Sequence, residues 1–374
     1  MNQSSSANEK KISSPDSSEV FDASPSKTYH EQAYIDQTLR LREILKTLPA
    51  FTKDYFRAVE PTTSARTRIS YAYDIRVFFH FLMEVNPHYK NYTIDQFTVQ
   101  DLERLDPVDI EEYQEYLKVY KNEEDRQITN TEKGLSRKMS ALRSFYGYYF
   151  KRQIISKNPT LLVDMPKLHE KAIIRLDTDE IAMLLDYVEH GGENLTGQRL
   201  AYYEKTKNRD LAILTLLLGT GIRVSECVGL DISDVDFDNL AIKVRRKGGY
   251  EDVVYFGEEV EEALLSYLDQ RKHMIPMSGH EDALFLSLQN RRMAVRSVEN
   301  LVKKYASLVT TTKKITPHKL RSTYGTTLYQ ETGDIYLVAD VLGHKDVNTT
   351  RKHYAAMKDD HKRKAAKTVK LREL

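Results

Sequence analysis

Apolar residues recur with helical spacing through the first half of the chain, from about Tyr29 to Asp164. Ser64 precedes a run whose apolar face consists of Ile69, Ala72, Ile75, Phe78, Phe79 and Leu82. A serine at this place can accept a hydrogen bond from the first turn, so the pattern predicts a capped helix. A second stripe contains Ile110, Tyr113, Leu117 and Tyr120. A third helix is predicted from about Thr131 to Arg152, with Leu135, Met139, Leu142 and Tyr149 facing inward.

A break in this periodicity follows at residues 158–176. Asn158-Pro159 and Met165-Pro166 fall here, and the residue before a proline disfavours helical backbone. Asp177, with Glu180 three positions later, then forms a capping box that predicts the start of another helix. We therefore expect a helical domain over residues 29–164, a linker over 165–176 and a second domain over 177–374.

The second domain mixes helices with a short β-hairpin. Leu211 to Leu218 is almost wholly apolar and predicts a core helix. Leu240 to Arg246 and Asp252 to Phe256 are typical of strands, and Lys247-Gly248-Gly249 between them predicts a hairpin turn. The expected fold class is mainly α, with a small antiparallel sheet in the second domain.

Composition limits the class of protein further. The chain has 374 residues, of which 40% are hydrophobic and 30% charged, as in soluble globular proteins. Residues 1–28 are polar and contain nine serines, so we expect a disordered tail without a signal peptide. We find no apolar run of the roughly 20 residues that cross a bilayer. The single cysteine, Cys227, excludes an intramolecular disulfide and a cysteine-cluster zinc site, so a cytoplasmic protein without a structural metal or membrane contact is expected.

Charge is unevenly distributed although the formal net charge is only +1. Residues 101–126 sum to −6, residues 289–321 to +8 and residues 345–374 to +6. Binding of phosphates depends on local positive surface, so the two basic segments are compatible with a nucleic-acid partner. Ordinary solvated faces explain the same distribution equally well.

Several residues with chemical potential follow one another in the second domain. Arg223 lies in the stretch Gly219 to Glu226, and Lys247 lies at the hairpin turn. His318-Lys319-Leu320-Arg321 places His318 and Arg321 on one helix face. His344 follows Leu342-Gly343, and Tyr354 comes ten residues later. Each of these residues alone would be an unremarkable ion pair, structural histidine or packed tyrosine.

Together and in this order they resemble the tyrosine recombinase/integrase family. Its catalytic set of Arg, Lys, His-x-x-Arg, His and Tyr matches Arg223, Lys247, His318, Arg321, His344 and Tyr354. Residues 29–164 look like the core-binding domain of this family. The sequences at residues 207–213 and 246–249 are similar to those of the Xer recombinases that act alone rather than as a pair. Ser322 departs from the pattern, because many relatives carry a second histidine there.

The resemblance implies a reaction without metal or other cofactor. Tyr354 would attack a DNA phosphate and hold it as a 3′-phosphotyrosine, with Arg223 and Arg321 stabilising the phosphoryl oxygens. Lys247 would protonate the leaving 5′-oxygen, His318 would accept the tyrosine proton or bind a phosphate oxygen, and His344 would position the phosphate. Glu226 is expected to orient Arg223 or cap a helix, and Cys227 to be buried and inert.

The implied partner is double-stranded DNA with an inverted-repeat site, bound by a homotetramer that holds two such sites. Arg137, Lys138 and Arg143, on or beside the outer face of the third helix, are candidates for backbone contacts, although a solvated helix face is equally compatible with them. Residues 362–374 carry Ala365, Ala366, Val369 and Leu371 at roughly helical spacing, and the resemblance implies that such a tail docks into a neighbouring subunit.

Four functions remain open at this point. The favoured one is Xer-like resolution of chromosome or plasmid multimers. An integrase of a phage or mobile element would use the same chemistry at different sites, and a type IB topoisomerase would reseal one strand without exchange. A DNA-binding module that has lost catalysis belongs to another class, and the complete set of six residues argues against it.

Overall fold

The computed structural model describes residues 28–122, 124–169, 173–246, 248–344 and 346–347. The expectations for the N-terminal tail up to residue 27, for Lys247, for Tyr354 and for residues 362–374 lie outside these ranges. Within them, no helix is both long and apolar enough to span a bilayer.

The first half is built from helices and one small hairpin. Its elements are α1 (Tyr29–Leu45), α2 (Thr52–Ala58), α3 (Ala65–Glu84), α4 (Asp101–Arg104), α5 (Pro107–Tyr116), β1 (Val119–Lys121), β2 (Gln127–Thr129) and α6 (Glu132–Lys151). Short 3₁₀ turns occupy Glu60–Thr62, Ile94–Gln96 and Pro159–Leu161. These elements share one hydrophobic core, which we call the N-terminal core.

The N-terminal core is rich in aromatic side chains. Ala72, Ile75, Phe78, Phe79 and Leu82 of α3 are buried, as their spacing predicts, and Ile69 packs at the edge. The Ser64 hydroxyl accepts a hydrogen bond from the Thr67 backbone N–H at 3.2 Å and so caps α3. On α6, Met139, Leu142 and Tyr149 are buried. The prediction of two amphipathic helices at these places is therefore confirmed.

The hairpin β1–β2 was not predicted, because the stripe through Tyr120 was interpreted as helical. Helix α5 ends at Tyr116, and Tyr120 lies in a strand opposite Ile128. The Asn122 side-chain oxygen accepts hydrogen bonds from the backbone N–H groups of Glu124 and Arg126, which turns the chain back. The helical period continued by coincidence across this turn, since Tyr120 still stacks on Tyr116 with ring centroids 5.3 Å apart.

The second half is also mostly helical. Its elements are α7 (Thr178–His190), α8 (Gly197–Thr220), α9 (Val224–Gly229), β3 (Val235–Asp236), β4 (Ala241–Arg245), β5 (Glu251–Tyr255), α10 (Glu258–Arg271), α11 (Val295–Val309), α12 (Pro317–Thr332) and α13 (Ile335–Val341). A 3₁₀ turn occupies Ile232–Asp234. Most of these elements share a second hydrophobic core, which we call the C-terminal core. Helix α8 carries the apolar stretch at residues 211–218 through this core.

The sheet of this half is antiparallel, with the order β3-β4-β5. Strands β4 and β5 occupy the two runs that the sequence predicts, with Ile242 paired to Val254. The two-residue strand β3 was missed because it is too short to show a period. The Asp177 backbone N–H donates to Glu180 at 2.8 Å, which confirms the capping box of α7.

Two segments connect the halves. Helix α1 places Leu41 and Ile44 in the N-terminal core, whereas Tyr29 at its start packs against the C-terminal core beneath the Arg292 guanidinium, 4.9 Å from the ring centroid. The stretch after α6 begins with Pro159, Thr160 and Val163, which are buried against the first half. The two domain boundaries stay predictions.

Candidate active site

Arg223 is positioned by a sharp turn between two helices. Helix α8 ends at Thr220, and Gly221 adopts a left-handed conformation with φ +63°. A Cβ on Gly221 would lie 2.4 Å from a ring carbon of Tyr324, so only glycine fits between the turn and α12. Arg223 follows two residues later as the N-cap of α9.

Glu226 holds Arg223 by two routes. The Arg223 backbone N–H donates to one carboxylate oxygen at 2.7 Å, and the guanidinium Nη1 donates to the other at 2.7 Å. The Glu226 side chain is 2% exposed and that of Arg223 is 32% exposed. Glu226 therefore both caps α9 and orients Arg223, and one side of the guanidinium remains open to solvent.

Arg321 reaches the same place from α12. Its side chain is buried, and its Nη1 donates to the carbonyl oxygen of Gly221 at 2.6 Å. Its Nη2 donates to the carbonyl oxygen of Leu342, and Arg223 Nη2 donates to that of Gly343 at 3.4 Å. The structure thus brings the two predicted arginines together at the turn that follows α13.

The two histidines lie at the edges of this cluster. His344 directly follows Gly343, is half-buried, and its backbone N–H donates to the Ala339 carbonyl at 2.9 Å. His318 occupies the first turn of α12, one turn before Arg321, and is exposed. Lys247 and Tyr354 lie outside the described residues, so Arg223, His318, Arg321 and His344 are the predicted catalytic residues that the structure places.

A residue that the sequence reasoning did not single out belongs to the cluster. Arg246 is 3% exposed, and its Nη1 donates to Glu226 at 3.2 Å while its Nε donates to Asp252 at 2.9 Å. A signal for it exists in the sequence. Strand alternation puts Arg246 on the same face as Ile242 and Val244, and an arginine on the buried face of a strand needs partners inside the protein.

Cys227 lies beside Glu226 but does not offer a nucleophile. Burial, with a smaller contribution from the Glu226 carboxylate, raises the pKa of its thiol to about 12. The group is therefore a thiol at neutral pH, as expected for a buried packing residue.

The candidate backbone contacts on α6 make bonds within the protein. Arg137 binds the buried Asp74 carboxylate, with Nη2 at 2.8 Å from Oδ1, and its side chain is 47% exposed. Lys138 is buried and donates to the same carboxylate at 3.1 Å, so its expected position on or beside the outer face is wrong. Arg143 donates to the Thr160 carbonyl at 3.1 Å. The role of the three residues in DNA binding stays a prediction.

The chemistry available at the site is recognition of an anion. Two guanidiniums converge on one turn, and such planar groups match phosphate oxygens in geometry and charge. Among the residues that the structure describes, no group of three His, Cys, Asp or Glu side chains is placed to hold a metal ion. The two guanidiniums by themselves suit the oxygens of a phosphoryl group.

Comparison with known proteins agrees with this class. Residues 175–361 match the phage integrase family. The chain is 34% identical over 323 residues to tyrosine recombinase XerC of Caldanaerobacter subterraneus subsp. tengcongensis, and the match covers 84% of each protein. It is 30% identical over 351 residues to tyrosine recombinase XerS of Streptococcus agalactiae, covering 86% of this chain and 96% of that protein.

The chain therefore belongs to the phage integrase family and is a tyrosine site-specific recombinase. The named relatives to which it is similar are Xer recombinases.

Solved structures share the fold. XerH bound to palindromic difH substrate in a post-cleavage complex gives a TM-score of 0.63 at 17% identity, covering 91% of this chain and 90% of that chain. The Tn1549 transposon integrase in complex with circular intermediate DNA gives 0.58 at 21% identity, covering 80% and 93%. The likeness extends over both halves of the chain, which agrees with the mainly α fold class.

Proposed function

We propose that this recombinase cuts and rejoins duplex DNA through a 3′-phosphotyrosine at Tyr354, with Arg223 and Arg321 binding the scissile phosphate. The observation that carries the proposal is the convergence of these two guanidiniums on the turn at Leu342 and Gly343. They come from different helices, and each is fixed by acceptors within the protein. A phosphate that arrives therefore meets guanidiniums already held by the protein, and such preorganisation favours strong electrostatic stabilisation.

The energetic demand on the site is set by the nucleophile. A tyrosine hydroxyl has a pKa near 10, so ionising it at pH 7 costs roughly 4 kcal/mol. His318, exposed at the start of α12, accepts this proton or binds a phosphate oxygen, and His344 positions the phosphate. Loss of one preorganised electrostatic contact typically lowers the rate about 10²–10³-fold. The stabilisation supplied by the two arginines together is therefore comparable with the cost of ionising the tyrosine.

The leaving group needs a proton, because an alkoxide at the 5′-oxygen is a poor leaving group. In the proposal Lys247 supplies this proton as general acid from the turn between β4 and β5. The phosphorus–tyrosine bond forms as the phosphorus–5′-oxygen bond breaks. The energy of the phosphodiester is kept in the covalent intermediate, so rejoining needs no nucleotide cofactor.

Duplex DNA as the partner is supported by the basic segment at residues 289–321. Part of this charge is internal, since the Arg292 side chain is buried and binds Asp231. Arg296, Lys303 and Lys314, however, are exposed on α11 and in the connection to α12. Together with the half-exposed Arg137 of α6, these side chains give each half of the chain a cation that can contact a phosphate backbone.

The biological role we propose is resolution of chromosome or plasmid multimers in the cytoplasm, because the relatives at 30–34% identity are Xer recombinases. The substrate is an inverted-repeat site, and a homotetramer joins two such sites. The tail at residues 362–374 connects neighbouring subunits in this assembly.

Trapping of a covalent complex tests the chemistry. A site is first selected from a random-sequence duplex pool by the wild-type chain and is then nicked, so that the cleaved fragment diffuses away. Wild-type protein should form an adduct that resists denaturation by detergent, whereas Tyr354→Phe should bind the duplex and form none. Tyr336→Phe, which removes an exposed hydroxyl of α13, is the matched control and should react like the wild type. An adduct that persists in Tyr354→Phe removes Tyr354 as the nucleophile.

A further inference from the structure

Arg246 connects three separate segments of the site through the three nitrogens of one buried guanidinium. Its Nη1 donates to Glu226 of α9 at 3.2 Å, and its Nε donates to Asp252 of β5 at 2.9 Å. Its Nη2 donates to the carbonyl oxygen of Val341 at the end of α13, at 3.0 Å. A guanidinium has a rigid fork that can satisfy three acceptors in different directions, whereas a lysine ammonium cannot reproduce that geometry.

We infer that Arg246 is a positioning residue for the recombination reaction. It fixes Arg223 and the turn at residues 341–344 relative to each other so that both face the scissile phosphate. The inference rests on the proposed binding of that phosphate by Arg223. It assigns to Arg246 an action through other residues and no contact with DNA.

The link to Arg223 passes through the Glu226 carboxylate. One oxygen of this carboxylate accepts from Arg223 Nη1 at 2.7 Å, and the other accepts from Arg246 Nη1 and from the Arg223 backbone. A buried carboxylate with Arg223 as its only partner would neutralise that arginine. Because Arg246 shares the negative charge of Glu226, the positive charge of Arg223 remains available to a phosphate.

The link to the turn is both a hydrogen bond and a steric contact. Gly343 has φ +58°, and a Cβ there would lie 2.9 Å from Arg246 Nε and 3.0 Å from its Cζ. The guanidinium therefore packs directly against the turn whose carbonyls accept from Arg321 and Arg223. Displacing Arg246 would free the segment that holds both phosphate-binding arginines and that continues into His344.

The third link fixes the hairpin. Asp252 pairs with Val244 across β4–β5, and its carboxylate lies against Arg246, which immediately precedes Lys247 in the sequence. The Arg246 backbone N–H also donates to the Tyr250 carbonyl at 2.9 Å. One side chain thus holds the hairpin against α9 and the end of α13.

A neutral phosphate analogue separates positioning of Arg223 from general loss of structure. The probe is the selected nicked duplex with a methylphosphonate at the scissile position mapped with wild-type protein. This group has no negative non-bridging oxygen, so its cleavage depends less on Arg223. On the ordinary phosphodiester, Arg246→Met should form adduct about 10²-fold more slowly at saturating DNA, the size of one lost electrostatic contact. Its Kd for the duplex should stay within about 3-fold of the wild-type value, which is about 0.7 kcal/mol in binding free energy.

On the methylphosphonate duplex, Arg246→Met and Arg223→Ala should both recover most of the wild-type rate. Arg271→Met is the matched control. Arg271 is a buried arginine of α10 that donates to the carbonyls of Glu281 and Ala283, and it makes none of the contacts described for the site. It should lose stability without gaining any advantage from the methylphosphonate. If Arg246→Met does not fold, the test is repeated with Arg246→Lys, which keeps the positive charge but lacks the planar guanidinium.

Each outcome decides the inference. Shared recovery of the Arg246 and Arg223 variants supports it. Recovery of Arg223→Ala without recovery of the Arg246 variants overturns it and leaves the proposed function intact. Wild-type protein that forms no adduct on any selected duplex overturns the proposed function and the inference with it.

Discussion

Arg223 and Arg321 donate hydrogen bonds to adjacent carbonyl oxygens of one turn, those of Gly343 and Leu342. Arg223 precedes strands β3 to β5 in the sequence, and Arg321 follows them. The turn at Leu342 and Gly343 brings the two side chains together. A carbonyl that accepts from a guanidinium fixes the plane of that guanidinium, so its remaining N–H groups have defined directions. We expect the turn, and not only the arginines, to control the rate of strand cleavage.

Substitution at Gly221 should test this geometry. Gly221→Ala meets two penalties: a left-handed backbone that costs roughly 1–2 kcal/mol for a residue with a Cβ, and an overlap with Tyr324 that adds about 1–3 kcal/mol. Gly197→Ala has the same type of backbone, with φ +58°, but open space around its Cβ. Thermal unfolding should show a larger loss for Gly221→Ala, and adduct formation should fall only in that variant. Equal losses of stability would contradict the steric argument.

The proposed role of Lys247 as general acid can be tested by changing the leaving group. Lys247→Ala should cleave an ordinary phosphodiester slowly, because the 5′-oxygen departs without a proton. A 5′-bridging sulfur needs little protonation, so the variant should recover much of its rate on that duplex. The rate of adduct formation on the two duplexes is the measurement, and Lys243→Ala, on the exposed face of β4, is the control. Absence of recovery would assign Lys247 to binding of the DNA backbone instead.

Acidification should weaken the contact between α1 and the second half of the chain. Burial, and then the positive charges of Arg245 and Arg292, lower the pKa of His30 against an opposing effect of Asp231 and Asp234. As the pH falls, His30 of the unfolded chain, with a pKa near 6.5, therefore binds a proton at a higher pH than His30 of the folded chain does. The stability contributed by neutral His30 is present above about pH 6.5 and is lost as the pH falls toward the folded pKa.

Two measurements check this expectation. Between pH 7.5 and 5.5 the melting temperature of wild-type protein should fall more than that of His30→Gln, which has no proton to take up. After correction for the intrinsic pH dependence of amide exchange, the protection of amides at the start of α1 should fall over the same range in the wild type alone. Identical pH dependence of the two proteins would mean that His30 does not titrate against the fold.

Removal of residues 362–374 should separate binding from assembly. If this tail acts on a neighbouring subunit, the truncated chain should still bind a single site, while cooperative binding, pairing of two sites and recombination should collapse. The expected helical spacing of its apolar residues would give a helix that is marginal by itself in water, which is why a surface on a neighbouring subunit is proposed. Mobility-shift titration and a two-site recombination assay give the two readouts. Full recombination by the truncated protein would exclude the exchange.

Local pattern was enough for the long helices and for the central hairpin. Helix α3 follows from its apolar spacing and from Ser64, and strands β4 and β5 follow from two apolar runs around a glycine turn. The prediction failed at Tyr120, where a side-chain turn at Asn122 reverses the chain while the helical period continues. Asn122 is a local signal for a turn, but a single turn residue does not outweigh a continuing helical period when the partner strand is not known.

The candidate site shows the same division. The types and order of Arg223, His318, Arg321 and His344 could be read from the sequence, and the structure places them around one turn and its edges. The partners of Lys138 and Arg246 could not be read from it, because each is a buried carboxylate on another element, Asp74 of α3 and Glu226 of α9. A buried cation needs acceptors inside the protein, and the local sequence around Lys138 or Arg246 does not show which distant residue supplies them.

The carbonyl acceptors of Arg223 and Arg321 lie far away along the chain. Arg321 is separated from Gly221 by 100 positions and Arg223 from Gly343 by 120. Contacts of this range form late, since the entropy of closing the loop must be overcome first. A chain still emerging from the ribosome, or one that has frayed at its C-terminal end, therefore has no oriented pair of arginines. On the proposed mechanism, cleavage of DNA therefore requires that the whole second half has folded, because the last turn supplies acceptors to both arginines.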